Sequence, residues 1–485
     1  MKKIKRIVNK FFHSPTFMTW FSFSAKSLSI LVVLPLILGK FTTTEISLWF
    51  LFSILFGFQI IADLGFGSTF TRLISYAMSG LKNLENIGLE KYNGGSHKSP
   101  NWDLIIALNK KMKTIFLFIS VTFVFLMALI SFFFLDRPIE NLENPNHGYY
   151  LLILILVVLF FKIYSRRYIS FISGVNEVAL LRRWEGIIVY LQILSSIIVL
   201  ILTENFYYLV IANQFWVLVG IVNTYLLQKR ILNKNLCSIL NKIEPVFIEK
   251  KVFIEHVFNP SWKSGIGTLS SYGLNQLSSL VLVDFLLEDD LVIFLLLYKF
   301  INIISEFTRA PFYANLPTFA QKFQLLDTEK LLSFIKKSID LSVFLATFCL
   351  LLVLVLGDYL LKLIGSSINN FDYLLWFLFS LNLLFERIGA IHFQMHSLSN
   401  KVVWHKANLI YGLIFILVSI FTIKLLGLYA IPLAMLTGNL LYYTPFALKT
   451  TFKYYSYKFY KFNYNIIICL VLLIILNLTL FTIKT

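Results

Sequence analysis

The sequence predicts an all-α polytopic membrane protein, and three observations carry the prediction. The 485-residue chain is 58% hydrophobic and 17% aromatic, with a mean hydropathy of +0.77, well outside the composition of a soluble domain. Apolar runs recur from end to end, each of about 20 residues and so long enough for a hydrocarbon core of roughly 30 Å. Basic residues concentrate in alternate loops, as short cytoplasmic loops require.

Thirteen spans follow, at about 17–39, 46–78, 112–135, 149–173, 184–202, 206–228, 262–286, 291–317, 336–357, 372–396, 404–425, 427–448 and 464–482. Span one follows "MKKIKRIVNK", which sets the N-terminus inside. It is too long for a signal peptide, contains Lys26 and lacks a small-residue cleavage motif, so it is retained as a helix. Span two runs from "ISLWFLFSILFGFQII" into "ADLGFGSTFTR". The segment "NKKMK" leads into span three, "LLRRW" separates spans four and five, and "LQKRILNK" ends span six. "FIKKS" opens span nine, and "FKYYSYKFYK" lies between spans twelve and thirteen, where its lysines and tyrosines read as an interfacial belt. All these segments fall inside. Of 43 basic residues only Lys40, Arg137, Lys362, Lys424 and Lys484 fall outside, where loops are acidic, as in "EDD" at Glu288 to Asp290. The net charge of +18 therefore reads as membrane orientation and needs no nucleic acid.

Two polar intervals, at about 79–111 and 229–261, interrupt the pattern. The second divides the first twelve spans into six plus six. This gives a six-helix lobe at 1–228, a cytoplasmic linker at 229–260, a second six-helix lobe at 261–449, and a basic aromatic loop with an extra helix at 450–485. Such a plan suggests a duplicated transporter, although the halves share no convincing identity. Within the linker Leu232, Leu236, Ile239 and Ile243 have helical spacing, which fits an amphipathic segment on the inner leaflet or a plain basic connector.

The informative residues are the ionisable ones within spans: Lys26, Asp63, Arg72, Lys162, Arg166, Lys299, Glu306, Arg309, Glu386 and Arg387. Each costs about 2.5–3.5 kcal/mol near the centre of a lipid-facing helix, so most must face protein, water or a span end. Helical spacing groups Ser22, Lys26 and Ser29 in span one. It groups Ser261, Ser264, Thr268, Ser271, Asn275 and Ser278 in span seven, and Lys299, Asn302, Glu306 and Arg309 in span eight. Stripes on the spans that open each lobe suggest a hydrated cavity between lobes, while helix-to-helix bonding is the competing reading for the hydroxyl residues. Lys26 and Lys299 lack an acidic neighbour one turn away and read as cations awaiting an anion. Lys162, Arg166 and Ser170 share a face near the inner surface, where snorkelling competes with an inner vestibule. Pro311 should kink or open span eight. Glu386 aligns with Asn382 and Gly389 as a candidate ion or proton site.

No cofactor or metal site follows. His392 and His396 have i, i+4 spacing but lack the glutamate of the zinc-protease pattern. Cys237, Cys349 and Cys469 form no disulfide framework. The absence of a phosphate-cradling loop or nucleophile elbow, together with short loops, disfavours an enzyme.

The stretch "TTTEISLWFLFSILFGFQIIADLGFGSTFTRLISYAM" resembles the bacterial Wzx-type flippases of lipid-linked oligosaccharides, in the multidrug/oligosaccharidyl-lipid/polysaccharide exporter superfamily. The resemblance rests on Glu45, Trp49, Asp63, Leu64, Gly65, Gly67, Thr71 and Arg72, with "NLPTFAQ" compatible. It implies a V-shaped two-lobe transporter in the bacterial inner membrane. Such a transporter moves an undecaprenyl-diphosphate-linked oligosaccharide to the outer leaflet by alternating access, for O-antigen, lipopolysaccharide or other surface polysaccharide. A polysaccharide polymerase and chain-length proteins are its implied partners. The diphosphate would meet Lys26 and Lys299, with Arg72, Lys162, Arg166 and Arg309 along its path. Asp63, Glu306 and Glu386 are candidates for ion coupling, and Gly65, Gly67 and Pro311 for hinges. A drug exporter of the same superfamily and a non-transporting assembly scaffold are the alternatives. On a straight helix Asp63 and Arg72 would face opposite sides, about 13.5 Å apart along the axis, so either the helix bends at the glycines or Arg72 reaches the cytoplasmic edge.

Overall fold

The structure is a computed structural model that describes residues 11–57, 59–87, 99–236, 248–281, 288–325, 328–363, 371–456 and 459–484. Among these residues every regular element is helical, and the described part of each of the thirteen expected spans is largely helix, with 282–286 of span seven outside the described residues. Among the described residues seven stretches are long and apolar enough to cross a membrane by length and composition, one of them the 52 residues from Trp404 to Tyr455. Large apolar side chains stand on the outer surface, among them Phe118, Leu202, Phe421 and Leu425, each more than 70% exposed, which suits a surrounding solvent of lipid. The chain forms two compact units, Met1–Trp262 and Lys263–Thr485.

The first unit opens with α1 (Pro15–Lys40), capped by Ser14, whose hydroxyl accepts from the Phe17 N–H, with Pro15 in the first turn. At its far end Lys40 donates to the Leu200 carbonyl and to Glu204, whose carboxyl it holds below the ordinary range. A capping box starts α2 (Thr43–Gly57): the Thr42 N–H donates to Glu45 Oε2 at 2.9 Å and the Glu45 N–H to Thr42 Oγ1 at 3.3 Å. Glu45, part of the family pattern, thus has a local structural task.

The predicted span two is not one helix. After α3 (Gln59–Ala62) the chain turns, and α4 (Phe66–Met78) begins anew. The turn holds Leu64 at φ 46° and Gly65 at φ 76°, both left-handed, and the Gly65 N–H donates to Asp63 Oδ1 at 2.8 Å. A left-handed leucine costs about 1–2 kcal/mol, which the Asp63 bond helps to offset. Gly67 leaves room for Asp63: a Cβ there would lie 2.7 Å from Asp63 Oδ2 and 3.3 Å from Ser170 Oγ. Gly67→Ala is therefore expected to destabilise the protein by about 1–3 kcal/mol through overpacking, read as a lower thermal midpoint in detergent. An unchanged midpoint would remove Asp63 from the turn.

Four helices follow: α5 (Trp102–Phe134), the short α6 (Asp136–Glu140), α7 (Pro145–Tyr164) and α8 (Arg166–Gly174). Helix α5 starts ten residues before the expected 112 because Asn101 caps it, accepting from the Leu104 N–H at 3.1 Å. Span four is interrupted at Ser165, which separates α7 from α8. Gly174 lets α8 approach α4, where a Cβ would meet Ile74 at 2.7 Å. Asn176 at φ 70° then turns the chain into α9 (Val178–Leu202), six residues before the expected 184. Arg182 and Arg183, read as loop from "LLRRW", are thus helical. Next, α10 (Phe206–Leu236) carries Leu232 and Leu236 as its own continuation, and Ile239, Ile243 and Cys237 lie outside the described residues. Two last elements, α11 (Lys250–Phe253) and a π turn at Ile254–Phe258, lead into α12 (Asn259–Val281), within which the boundary between units falls.

The second unit continues with α13 (Glu288–Tyr313), α14 (Leu316–Leu325), α15 (Thr328–Leu363), α16 (Tyr373–Ser397), α17 (Trp404–Leu426), α18 (Ala430–Gly438), α19 (Thr444–Tyr455) and α20 (Phe459–Lys484). Helix α13 runs through Pro311 and ends two residues later, so the expected opening takes the form of a stop at Tyr313 and a restart at Leu316. A π turn at Asn439–Tyr443 joins α18 to α19. The core packs Phe294 and Leu297 against Leu350, Leu375, Trp376 and Phe379, and Trp376 Nε1 donates to the Leu350 carbonyl at 3.2 Å. Cys349 and Cys469 are free thiols.

Candidate functional site

Each unit contains a polar cavity of its own. The first, of about 410 Å³, is lined by Lys26, Lys162, Arg166 and Arg182, with Gln59, Ser165, Gln192, Trp216, Asn223 and Thr224 completing its polar wall. Glu185 is the only carboxylate among the lining residues, so the wall has a surplus of three positive charges.

Close helix packing explains why these groups meet. Gly186 on α9 brings the backbone against α1, where a Cβ would meet the Phe21 ring at 2.6 Å and Ser22 Cα at 3.4 Å. That contact brings Glu185 within reach of Lys26. Lys26 Nζ donates to Glu185 Oε1 at 2.6 Å, and Arg182 Nη1 donates to Oε2 at 2.7 Å. The expectation of an unpaired Lys26 is therefore corrected: its counter-ion comes from another helix, which inspection of span one alone does not reveal. Lys162 and Arg166 complete the cluster and have no carboxylate in an ion pair among the described residues. Arg166 also interacts electrostatically with Asp63, which links the cavity to the turn between α3 and α4.

Arg72 is absent from this wall. Its guanidinium is half-buried and donates to Thr69 Oγ1 at 3.3 Å. Ser170 is also absent from the wall, and its Oγ lies against Gly67, 3.3 Å from where a Cβ there would sit. The break at Ser165 changes the register that a continuous helix would give.

The second cavity, of about 280 Å³, lies between α13, α16, α17 and the π turn. Asn302, Ser305, Glu306 and Arg309 of α13 line it, as do Asn382 and Glu386 of α16, Asn408 and Tyr411 of α17, and Asn439 and Tyr443 of the π turn. Glu306 and Arg309 pair within their own helix at 2.5 Å. Arg387 turns away from Glu386 and donates to the Ser305 carbonyl and hydroxyl at 2.7 and 2.8 Å, tying α16 to α13. Asn439 Nδ2 donates to Asn382 Oδ1 at 2.7 Å.

Lys299 is exposed and stands apart from this lining. The cavity stripe on α13 runs through Tyr298, Asn302, Ser305 and Arg309, and Lys299 lies about 100° around the helix from Tyr298. On α12 Ser261 and Ser264 are buried with unpartnered hydroxyls, and Thr268 bonds back to the Ser264 carbonyl. The side chains of Ser271, Asn275 and Ser278 lie outside the described residues. His396 Nδ1 contacts the Lys401 carbonyl at 3.0 Å, and no group of three metal-ligating side chains occurs among the described residues.

Arg182 and Glu185 are the site residues that sequence reasoning missed. Their i, i+3 spacing was a legible signal, but the expected boundary at 184 fell between them and left Arg182 in the loop.

No family model matches the sequence, and no curated protein matches it. Solved structures do match. A MATE in the straight conformation superposes with a TM-score of 0.65 at 13% identity, over 91% of this chain and 97% of that one. The chain has the MATE transporter fold. An outward-facing multidrug resistance MATE family transporter of the MOP superfamily gives 0.62 at 12% identity, over 92% and 97%. A MOP superfamily transporter from Pyrococcus furiosus, described as having a binding pocket of reverse polarity that suggests a different function, gives 0.60 at 12% identity, over 92% and 96%. These likenesses extend over nearly the whole MATE fold in each comparison.

Proposed function

We propose that this chain is a flippase that carries an undecaprenyl-diphosphate-linked oligosaccharide from the cytoplasmic to the outer leaflet of a bacterial inner membrane, for O-antigen or other surface polysaccharide. The observation that carries the proposal is the cationic wall of the first cavity, where Lys26, Lys162, Arg166 and Arg182 surround a single carboxylate. Basic side chains give charge-assisted bonds to phosphate, and arginine does so in a two-pronged geometry. A diphosphate brings enough charge to replace Glu185 as partner of Lys26 and Arg182. The basic inner loops orient the N-terminus to the cytoplasm, where such a lipid is made available.

Coupling is assigned to the turn beside the cavity. Asp63 shares the field of Arg166 with any bound anion, so a diphosphate on Arg166 weakens the hold on Asp63 at the joint formed by Gly65 and Gly67. Arg72 and Arg309 keep their proposed place along the path, Lys299 as an exposed cation beside it, and Pro311 as the second joint. Glu306 and Glu386 remain the ion-coupling candidates of the second unit.

Cation-coupled drug export is the second reading, favoured by Glu306 and Glu386 on the wall of the second cavity. Reconstitution into vesicles separates the two. The expected result is inward-to-outward movement of a fluorescent diphosphate-linked oligosaccharide lipid, lost in Lys26→Ala, without proton- or sodium-driven efflux of a lipophilic cationic dye. Dye efflux without lipid movement would overturn the proposal in favour of drug export.

A further inference from the structure

We infer that the cavity of the second unit is a binding site for a single polyhydroxylated ring, a sugar of hexose size, separate from the cationic cavity of the first unit. The inference rests on the flippase reading for its biological source, and on the cavity itself for its chemistry.

Size and lining define the ligand. At about 280 Å³ the cavity falls just below the roughly 300–1,000 Å³ that holds drug-sized ligands, which suits one ring and excludes an oligosaccharide. Fourteen residues line it, and only Ile301, Leu383 and Met435 are aliphatic, so hydrogen-bonding groups and tyrosine rings make up most of the wall. A bare metal ion needs oxygens converging at about 2.0–2.6 Å, whereas these side chains border a space many times larger. Four asparagines, at 302, 382, 408 and 439, each supply donors and an acceptor in fixed directions. That mixed inventory matches hydroxyl groups, which donate and accept at once.

The groups left unbonded point the same way. Among the described residues the Glu386 carboxylate and the Tyr411 and Tyr443 hydroxyls have no hydrogen-bond partner, although all three line the cavity. All three residues are half-buried and border the cavity, so a ring bearing several hydroxyls could bond them together. Glycines seat both aromatic rings: a Cβ at Gly438 would lie 2.7 Å from the Tyr411 ring, and one at Gly389 would lie 2.7 Å from the Tyr443 ring. The π turn at Asn439–Tyr443 adds a local widening of the kind often found at functional sites. The rings offer apolar faces for the C–H side of a sugar, and the carboxylate prefers a ring that presents a hydroxyl or ammonium donor to it.

The test uses the full chain in lipid nanodiscs and saturation-transfer NMR with free glucose, galactose, glucosamine and N-acetylglucosamine. At least one should bind in the millimolar range and should still bind in the presence of saturating pyrophosphate. Tyr411→Phe and Tyr443→Phe keep the rings and remove the hydroxyls, and each should weaken sugar binding tenfold or more while leaving pyrophosphate binding unchanged. A second arm measures the diphosphate-linked oligosaccharide lipid. Loss of its binding in both variants identifies its sugar as the natural occupant, and retention with loss of free-sugar binding assigns the site to a free sugar. Absence of all sugar binding, or sugar binding indifferent to both variants, overturns the inference. That failure would leave the flippase reading standing if pyrophosphate binding and lipid movement persist.

Discussion

Lys162→Ala combined with Arg166→Ala is expected to weaken pyrophosphate binding by at least a hundredfold and to abolish lipid movement. Both residues line the cationic cavity. A hydrogen bond to a charged group contributes about 1.5–3 kcal/mol, so losing two removes about 3–6 kcal/mol, and every 1.4 kcal/mol is tenfold. The variant should fold as well as the parent, because these like charges interact unfavourably across the break at Ser165 when no anion is bound. Titration calorimetry of the purified protein reads the affinity, and thermal unfolding reads the stability. Affinity close to the parent's would remove both residues from the anion site. Lower stability with equal affinity would make them structural instead.

The largest effect on stability is expected at Arg387. Its guanidinium is almost wholly buried and bonds two oxygens of Ser305, and Glu386 lies within its field. Arg387→Ala leaves both Ser305 oxygens without the guanidinium and removes a positive charge that favours the Glu386 carboxylate. Leaving a buried polar group without its partner costs about 1–3 kcal/mol, and two such groups are left here. Urea unfolding in detergent should register that loss, and Arg387→Met with Glu386→Gln should recover most of it, since the uncompensated charge is then gone. If the double variant is no more stable than Arg387→Ala, the carboxylate is not what Arg387 compensates.

Hydropathy was sufficient to find the helices, because any run of about 20 apolar residues in lipid must satisfy its backbone internally. Where helices begin was less legible. The caps at Asn101 and before Val178 lie among polar residues, which a hydropathy reading assigns to loops although they continue the helices. The stripe at Tyr298, Asn302, Ser305 and Arg309 was half visible: the charged members drew attention to Lys299, whereas the aromatic member marks the cavity face. The break at Asp63 to Gly65 was foreshadowed by its two glycines, but the left-handed Leu64 was not, because leucine carries no sign of that conformation. Glu185 was hidden for a different reason. Its partner Lys26 lies 159 positions away, and no spacing rule within one helix connects them.

Under the flippase proposal Glu185 also sets which anions can enter. In the proposed orientation the cationic cavity meets chloride, bicarbonate and single phosphate esters at concentrations far above that of any lipid-linked sugar. A carboxylate fixed to the wall at 2.6 Å from Lys26 and 2.7 Å from Arg182 acts as a competitor at very high local concentration. A singly charged ion gains little by displacing it. Only a ligand that delivers several negative charges at once, and also engages Lys162 and Arg166, can prevail. Under the proposal, discrimination between cargo and background ions therefore depends on a residue whose charge has the same sign as the cargo.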